Sequence, residues 1–275
     1  MQIEFIVGAQ SVVLTNYGRL VDGRRGDLAP ATVLETELLA GLSVMSAYRQ
    51  EKRPLDLPFL FKAAAETTLL ANIRTMLDVL TAGEGVLKVT RNDAVVRQLQ
   101  RCYYKDGLRE KGWLQAIETV LSFDSLDPYW YDPTPTSEVF TVSLTSLTTF
   151  FPFFPLVLTA SSIIERKNVT NPGAPVWPVW TIVGPGENPT ITNHTTGESI
   201  TLVKTLIAGD VLVIDTSPLA KTVILNGANA YQYLTAASTL FSLAHGVNDL
   251  SVQMNLFVAG TSTGTLQFYP RYVSL

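Results

Sequence analysis

The sequence predicts a mainly β protein with one α-helix, in which an α+β domain is followed by an all-β sandwich domain. Residues 1–135 contain 15 Lys and Arg and 17 Asp and Glu, whereas residues 136–275 contain only 5 and 7 and carry 33 Ser and Thr. The first half has one segment with helical periodicity, and the second half has short alternating segments between turn residues. This step in composition predicts two domains, 1–135 and 136–275.

A helix is predicted for Lys62–Leu80. Its apolar residues recur at helical spacing and form one face: Leu69, Ile73, Met76, Leu77 and Leu80. Gly83 follows as a residue that ends helices. Such a stripe is more typical of a helix that packs on a core than of a cofactor site.

Strands are predicted around this helix. They are Gln2–Val7, parts of Val33–Tyr48, Val86–Thr90, Ala94–Tyr104 and Trp113–Phe123. Asn92-Asp93 is typical of a hairpin turn between the third and fourth of these strands. One helix among several strands predicts an α+β fold for the first domain.

The second domain has the pattern of an antiparallel β-sandwich. Its predicted strands are Ser199–Val203, Asp210–Asp215, Lys221–Leu225, Asp249–Phe257 and Gly264–Tyr269. Turn residues separate them at intervals of about 8–12 residues, which is the spacing of a sandwich or barrel. Asn226-Gly227 is typical of a tight hairpin turn.

Prolines mark the boundary between the domains, and we place a linker around residues 127–160. The candidate interdomain junction consists of Asp127, Pro128, Tyr129, Trp130 and Tyr131. We interpret these residues as a hinge packed between the domains.

The apolar run Phe150–Leu158 is shorter than the ~20 residues that span a bilayer. We interpret it as a connector packed against protein and predict no membrane insertion.

The composition argues against several classes of function. A net charge of −4 and a pI near 5.3 give no basic surplus for binding nucleic acid or anionic lipid. A single cysteine, Cys102, excludes an intrachain disulfide framework. His194 and His245 lie in predicted turns without a familiar arrangement of serine and carboxylate, and no metal or nucleotide motif occurs. We therefore predict no cofactor, no metal and no catalytic residues.

Two other functions are compatible with a β-sandwich. A carbohydrate-binding adhesion module is the main alternative, with Trp177 and Trp180 as candidate contacts to a sugar or a partner. Residues three apart face opposite ways in an unbroken strand, and core or interface packing is the other interpretation of both tryptophans. A hydrolase needs two facing carboxylates. Asp210 and Asp215 bracket one strand and would lie on opposite faces of it, so the sequence indicates no such pair.

Several stretches of the chain, in order, resemble the siphophage distal tail protein family, the tail-tip hub proteins of phages that infect mainly Gram-positive bacteria. In the first half the resemblance lies in LPFLFKAAAETTLLANIRTMLDVL, GEGVLKVTRNDAVVRQLQRCYYKDGL and LSFDSLDPYWYD. In the second half it lies in NVTNPGAPVWPVWTIVGPGENPTITNHTTGESITL, LIAGDVLVIDT, KTVILNGAN and LAHGVNDLSVQ. The order and spacing of these pieces over most of the chain carry the resemblance.

The resemblance implies a ring-forming first domain similar to tail-tube proteins, and a peripheral second domain resembling a galectin or jelly-roll sandwich. A hexamer is the expected ring. It would join the tail-tube protein to the tail-tip or baseplate hub protein, present receptor-binding proteins, and let DNA pass through its channel. The expected location is the tail tip of the virion, after synthesis in the host cytoplasm, because the first residues lack the pattern of a secretory signal.

The chain departs from the family pattern at residues 8–37, which are longer and richer in Gly and Arg. We hypothesise that this region forms a belt-like hairpin that contacts neighbouring subunits.

Overall fold

The structure is a computed structural model that describes residues 1–21, 32–39, 42–50, 52–105, 111–113, 116–141 and 163–275. The predicted connector Phe150–Leu158 lies outside these residues, as does part of the hypothesised belt. The chain divides into two units: the first consists of Met1–Pro133 with Arg271–Leu275, and the second of Thr134–Pro270. Within the described part of the chain, no helix is long and apolar enough to cross a membrane.

Strands make up most of the secondary structure, which confirms the predicted mainly β fold. Up to the second unit, the elements are β1 (Gln2–Val7), β2 (Gln10–Val13), α1 (Leu14–Tyr17), β3 (Gly18–Leu20), β4 (Thr32–Leu39), β5 (Leu42–Gln50), β6 (Arg53–Lys62), α2 (Glu66–Leu80), β7 (Gly85–Thr90), β8 (Val96–Tyr104), β9 (Lys111–Trp113), β10 (Ala116–Ser125) and β11 (Trp130–Tyr131). From the second unit onward they are β12 (Thr136–Thr141), β13 (Ile163–Asn171), β14 (Val179–Val183), β15 (Gly186–Asn193), β16 (Glu198–Thr201), β17 (Thr205–Leu206), β18 (Val211–Asp215), β19 (Thr222–Leu225), β20 (Ala228–Asn229), a 3-10 turn (Tyr231–Tyr233), β21 (Gly246–Asn255), β22 (Thr263–Phe268) and β23 (Arg271–Tyr272).

The first unit is built on a ten-stranded sheet. Its main path runs β2-β1-β7-β8-β10-β6-β3 with antiparallel neighbours, while β11 pairs with both β8 and β23 and β9 pairs with β10. The core combines side chains of these strands with the apolar face of α2, and includes Ile3, Phe5, Leu57, Phe59, Leu87, Leu121 and Phe123. Burial alternates along β6, which is the period of a strand with one face in the core.

The predicted helix is confirmed, but it begins at Glu66 because Lys62 belongs to β6. Four residues of its predicted face are buried: Leu69, Ile73, Met76 and Leu80. Strand β6 itself was not predicted. Pro54 and Pro58 interrupt its pattern, and proline is unusual inside a sheet because it cannot donate a hydrogen bond.

The β4–β5 hairpin forms a separate two-stranded sheet. Its strands pair with each other from Thr32↔Gln50 to Leu39↔Leu42, and no other described strand pairs with either. The prediction of strands within Val33–Tyr48 is confirmed. Residues 8–37 were hypothesised to form a belt, but part of this region belongs to the main sheet as β2 and β3.

The second unit is a sandwich of two antiparallel sheets. One has the order β12-β22-β14-β18-β19-β20, and the other has β13-β21-β15-β16 with β17 paired to β15. Their inner faces bury a core that includes Phe140, Trp180, Ile182, Leu212, Leu250, Val252 and Leu266. The predicted Asn226-Gly227 turn joins β19 to β20, with both residues at positive φ (49° and 83°), as a two-residue hairpin of this type requires.

Side chains of β13 cover the free edge of β12 in the second unit. The Glu165 carboxylate accepts a hydrogen bond from the Thr141 backbone N–H at 2.8 Å, and the Lys167 ammonium donates to the Val139 carbonyl at 2.7 Å. An edge strand whose backbone groups already have partners is a poor template for another chain. No described strand pairs with the outer sides of β2 and β3 in the first unit.

The packing of α2 predicts a sharp difference between two neighbouring leucines. Leu69 is 2% exposed and Leu70 is 40% exposed. Leu69→Ala should lower the free energy of unfolding by about 2–5 kcal/mol, because it leaves a cavity in the core, whereas Leu70→Ala should cost less than about 1 kcal/mol. Urea unfolding of both variants measures the difference. Equal losses would show that α2 does not pack as described.

Candidate functional site at the domain junction

The predicted junction residues all lie in the first unit, between β10 and the end of β11. Strand β11 is held on both sides. Trp130 pairs with Leu99 of β8 and with Tyr272 of β23, and Tyr131 pairs with Gln98 and Arg271. The junction is therefore part of the sheet of the first unit, with residues 271–275 as its neighbour.

Asp127 shapes the turn that leads into β11. Its carboxylate accepts hydrogen bonds from the Tyr129 backbone N–H at 3.2 Å and from the Tyr131 hydroxyl at 2.6 Å. The Ser125 hydroxyl contacts both the Asp127 carbonyl at 2.6 Å and the Gln100 carbonyl at 2.8 Å. Burial, together with the charge of Asp127 and its hydrogen bond, raises the pKa of Tyr131 well above its usual range.

Arg53 is fully buried and hydrogen-bonds to the two segments that meet at the junction, residues 127–131 and residues 271–275. Its Nε donates to the Pro128 carbonyl at 2.8 Å, and its Nη2 donates to the Val273 carbonyl. The guanidinium carbon lies 5.7 Å from the ring centroid of Trp130, which is also fully buried. A buried cation is tolerated only where acceptors surround its donors, so both carbonyls are needed at these positions.

Two further arginines stack on aromatic rings. The Arg97 guanidinium donates to Asp132 and lies 4.2 Å from the ring centroid of Tyr272, whose hydroxyl donates to the same carboxylate at 3.0 Å. Burial and this hydrogen bond raise the pKa of Tyr272. Arg271 lies 4.1 Å from the ring centroid of Tyr129. We call Arg53, Arg97, Arg271, Tyr272 and residues 127–132 the junction cluster.

The chemistry of the junction cluster is structural. Guanidinium groups over aromatic faces and charge-assisted hydrogen bonds fix geometry, and the cluster contains no nucleophile activated by a base. Burial raises the pKa of Cys102 to about 12, so its thiol remains protonated and unreactive at neutral pH. No group of three or more His, Cys, Asp or Glu that could hold a metal occurs among the described residues.

The sequence pattern indicates residues 127–131 but not the arginines. Pro and aromatic residues mark a junction locally, whereas Arg53 and Arg271 reach it from distant parts of the chain. Nothing in the spacing of these arginines indicates that they converge, and only the strand pairing brings them together.

The two tryptophans of the second unit have different surroundings. Trp180 is fully buried, with its ring centroid 5.7 Å from that of Phe140. A buried ring has no free face for a sugar, which corrects the expectation of a ligand contact at Trp180 and supports its interpretation as a core residue. Trp177 is half-buried, and a sugar or partner contact there stays a prediction.

His194 has a serine and an aspartate as neighbours, which its predicted turn did not indicate. Its Nε2 lies 2.9 Å from the Ser251 hydroxyl, and its backbone N–H donates to the Asp249 carbonyl at 2.8 Å. Ser251 is fully buried, and the Asp249 carboxylate is bound by Arg166, whose hydrogen bond lowers the pKa of Asp249. A serine without solvent access and a carboxylate bound to arginine do not form a catalytic triad.

Comparison with known proteins gives matches of two kinds. The family model "Siphovirus-type tail component, C-terminal domain" matches residues 173–272. The solved structure of the Dit protein of phage SPP1, described as a paradigm of the hub of the adsorption apparatus in phages that infect Gram-positive bacteria, is similar over 98% of this chain and 99% of that chain, with a TM-score of 0.71 and 15% identity.

A chain in the phage p2 baseplate, in its activated conformation with Sr, is similar over 100% of this chain and 99% of that chain, with a TM-score of 0.53 and 11% identity. No curated protein matches the chain. The family match and the shared fold confirm the resemblance predicted from the sequence.

Replacement of Arg53 tests the junction cluster. Arg53→Met should lower the free energy of unfolding of the first unit by roughly 3 kcal/mol, because it leaves two carbonyls without their charged donor. Arg74→Met is the matched control, since Arg74 is exposed on α2 and its loss should cost less than about 0.5 kcal/mol. Denaturant unfolding followed by hydrogen exchange of β6 and β10 peptides measures both. Similar values for the two variants would contradict the role of Arg53.

The raised pKa of Tyr131 predicts that the protein loses stability in alkali. Its pKa in the folded state is raised above the ordinary value of 10.0, so the stabilisation is fully present below about pH 10. Above that pH the unfolded state loses the proton first, and the folded state loses stability by up to about 1.4 kcal/mol per pH unit. Tyr131→Phe should remove this component. Unfolding midpoints of the two proteins from pH 8 to 11 should converge as pH rises, and parallel curves would refute the assignment.

Proposed function

We propose that this chain, whose residues 173–272 match the siphovirus-type tail component domain, is a structural protein of the phage tail and baseplate. It forms a hexameric ring that joins the tail-tube protein to the tail-tip or baseplate hub protein. The first unit makes the ring, the second unit lies at its periphery and presents receptor-binding proteins, and DNA passes through the channel.

The main observation in support of the ring is the β4–β5 hairpin, which forms a two-stranded sheet of its own. Two strands alone are at best marginally stable in water and need a further strand or a packed surface. No described strand of the same chain pairs with this hairpin, so a neighbouring subunit is its expected partner. This assigns to residues 32–50 the belt contact that we hypothesised for residues 8–37.

The open edges of the main sheet support the same conclusion. No described strand pairs with the outer sides of β2 and β3, and natural proteins normally block such edges unless another chain uses them. The two edges differ from each other, so contact between them in neighbouring subunits is heterologous. A heterologous contact with the appropriate rotation closes into a ring.

A polar sheet face in the first unit supports the channel. On β6 and β10, Asp56, Glu118 and Asp124 alternate with buried residues and therefore point away from the core. Asp56 accepts a hydrogen bond from Ser122 at 2.7 Å, whereas the charge of Asp124 is offset by Lys52 at 2.7 Å and Lys105 at 3.8 Å, so the repulsion comes from Asp56 and Glu118. Carboxylates on a channel wall repel phosphate, which favours passage of DNA over binding. We assign this face to the lumen.

The covered edge of β12 supports a peripheral second unit. Because this edge is covered, β12 is a poor site for adding a strand from a copy of the chain. A carbohydrate contact at Trp177 stays a separate prediction for the same unit, and no further observation in the structure favours it.

The mass of the purified chain tests the ring. A hexamer has six times 30.1 kDa, about 181 kDa, by light scattering, with a central hole in electron micrographs. A variant in which a short Gly-Ser linker replaces residues 32–50 should remain folded but lose the hexamer, because it lacks the hairpin. Leu219→Ser, at a residue that is 81% exposed in the second unit, should keep the hexamer. A monomeric full chain would contradict the ring, and intact hexamers without the hairpin would contradict the role of the hairpin.

A further inference from the structure

The turn between β19 and β20 has a sequence that is prone to a chemical change of its own. In an Asn-Gly pair, the backbone nitrogen of the glycine attacks the side-chain amide of the asparagine, and glycine hinders this attack least because it has no side chain. Asn226 and Gly227 are the only Asn-Gly pair in the sequence, and both residues are exposed. Water therefore reaches the turn, which makes it a candidate site of covalent modification.

The reaction is a deamidation in two steps. In the first step the Gly227 nitrogen bonds to Cγ of Asn226, the bond from Cγ to Nδ2 breaks, and Nδ2 leaves as ammonia with the proton that the Gly227 nitrogen loses. The product is a five-membered succinimide ring. In the second step one water molecule opens the ring: its hydroxyl adds to one of the two carbonyl carbons and its proton returns to the nitrogen. The result is aspartate or isoaspartate, and water is the only co-reactant.

The folded chain binds both ends of the Asn226 side-chain amide. Its Oδ1 accepts a hydrogen bond from the Val211 backbone N–H at 2.9 Å, and its Nδ2 donates to the Asp210 carboxylate at 2.7 Å. The Asn226 backbone N–H also donates to the Val211 carbonyl at 3.0 Å. These bonds direct the amide toward the start of β18, whereas the reaction requires Cγ to turn toward the Gly227 nitrogen.

Asp210 is a strong acceptor for this amide. Its other carboxylate oxygen accepts from the Ile207 backbone N–H at 2.8 Å, and its backbone N–H donates to the Ile207 carbonyl at 3.1 Å. The hydrogen bonds from Asn226 and Ile207 lower the pKa of Asp210, and the charge of Lys204 adds to them. Asp210 is therefore ionised at neutral pH, and an ionised acceptor strengthens the bond to Nδ2.

The backbone of the turn is also fixed. Both residues have positive φ, 49° and 83°, and Leu225 pairs with Ala228 across the turn and with Leu212 of β18 on its other side. The attack requires rotation about a backbone bond of Asn226, because the peptide bond itself is rigid. Such a rotation breaks the pairing of Leu225 with Ala228. The reaction therefore requires this end of the sheet to open first.

The product of the reaction does not fit the closed turn. Nδ2, which donates to Asp210, is replaced by a carboxylate oxygen, which only accepts. Two ionised carboxylates at the present contact of 2.7 Å repel each other, so at neutral pH the turn stays open or one carboxyl group takes up a proton. Isoaspartate also lengthens the main chain by one carbon. A single opening that leads to reaction thus leaves a permanent change.

We propose that Asn226-Gly227 is a conditional modification site, which Asp210 and Val211 protect in the folded chain and which deamidates when the β18–β20 end of the sheet opens. Each event adds one negative charge to the second unit and prevents the turn from closing again. The proposal concerns the second unit alone and does not depend on the ring.

The unmodified chain gives the first test. The full chain and a peptide of residues 222–230 are incubated at neutral pH, and mass spectrometry of the digested samples follows conversion of Asn226 to aspartate and isoaspartate. The peptide should react about tenfold faster or more, because it lacks the two hydrogen bonds and the paired strands. Equal rates in the peptide and the folded chain would overturn the protection.

Replacement of Asp210 gives the second test. Asp210→Ala should speed deamidation of Asn226 by about fivefold or more, because it removes the charged acceptor of Nδ2. Asp215→Ala is the matched control at the other end of β18, where Asp215 accepts from the Ser217 backbone N–H, and its rate should equal that of the unmodified chain. Asp210→Asn retains an acceptor oxygen and should react at an intermediate rate.

Hydrogen exchange of β14 amides shows whether each variant keeps the second unit folded. If Asp210→Ala unfolds it, Asp210→Asn decides the second test. An unchanged rate in a folded Asp210 variant would overturn the role of Asp210.

A variant that imitates the product gives the third test. Asn226→Asp should lower the unfolding midpoint of the second unit by about 2–5 °C at neutral pH, and by less below about pH 4, where protonation removes the repulsion. Asn226→Gly is the control, since it loses the same hydrogen bonds without adding a charge and suits the positive φ. Its midpoint should fall less than that of Asn226→Asp. Equal midpoints for these two variants at neutral pH would overturn the step in which repulsion keeps the turn open.

Discussion

The architecture of the first unit depends on one buried charge. Arg53 is fully buried, and an arginine cannot lose its proton to escape the cost of burial, so acceptors must lie around it. Those acceptors include backbone carbonyls of two segments that are far apart in sequence, Pro128 and Val273. The requirement places β23 beside β11 and thereby fixes where the chain leaves the first unit and where it returns. The arginines over Tyr129 and Tyr272 stabilise the same arrangement.

The free edges of the sheets differ in whether side chains of the same chain cover them. Any exposed strand edge is a hazard, because it offers unpaired backbone groups to other chains. Glu165 and Lys167 reduce this hazard at β12 of the second unit, whereas no described strand pairs with the outer sides of β2 and β3, and β4 and β5 pair only with each other among the described strands. A protein that blocks one set of edges and leaves another open can control where it associates. This difference favours the edges of the first unit over β12 as sites of association.

The sequence predicted local structure well and long-range structure poorly. The limits of β1, the helical face of α2 and the Asn226-Gly227 turn follow from periodicity and turn chemistry within a few residues. Strand β6 was missed because its prolines resemble an interruption, although its buried face is regular. At the candidate site, Asp127–Tyr131 was visible as a Pro and aromatic segment, but Arg53 and β23 were not. Contacts between residues this distant depend on strand register across the whole sheet, which no local pattern encodes.

The step in composition that predicted two domains reflects the different surfaces of the two units. In the first unit, charged side chains on exposed sheet faces form ion pairs such as Lys52 with Asp124 and Lys88 with Glu4. In the second unit, the outer faces of the sheets are made largely of Thr, Ser and Val, and pairs such as Thr190 with Thr201 bond across strands at 3.2 Å. β-branched residues favour strands and need no charged partner, so they suit a sandwich whose surface has no copy to match. Because the chain crosses between the units at only two points, each part of the sequence can change under its own constraint, and the boundary remains visible in the composition.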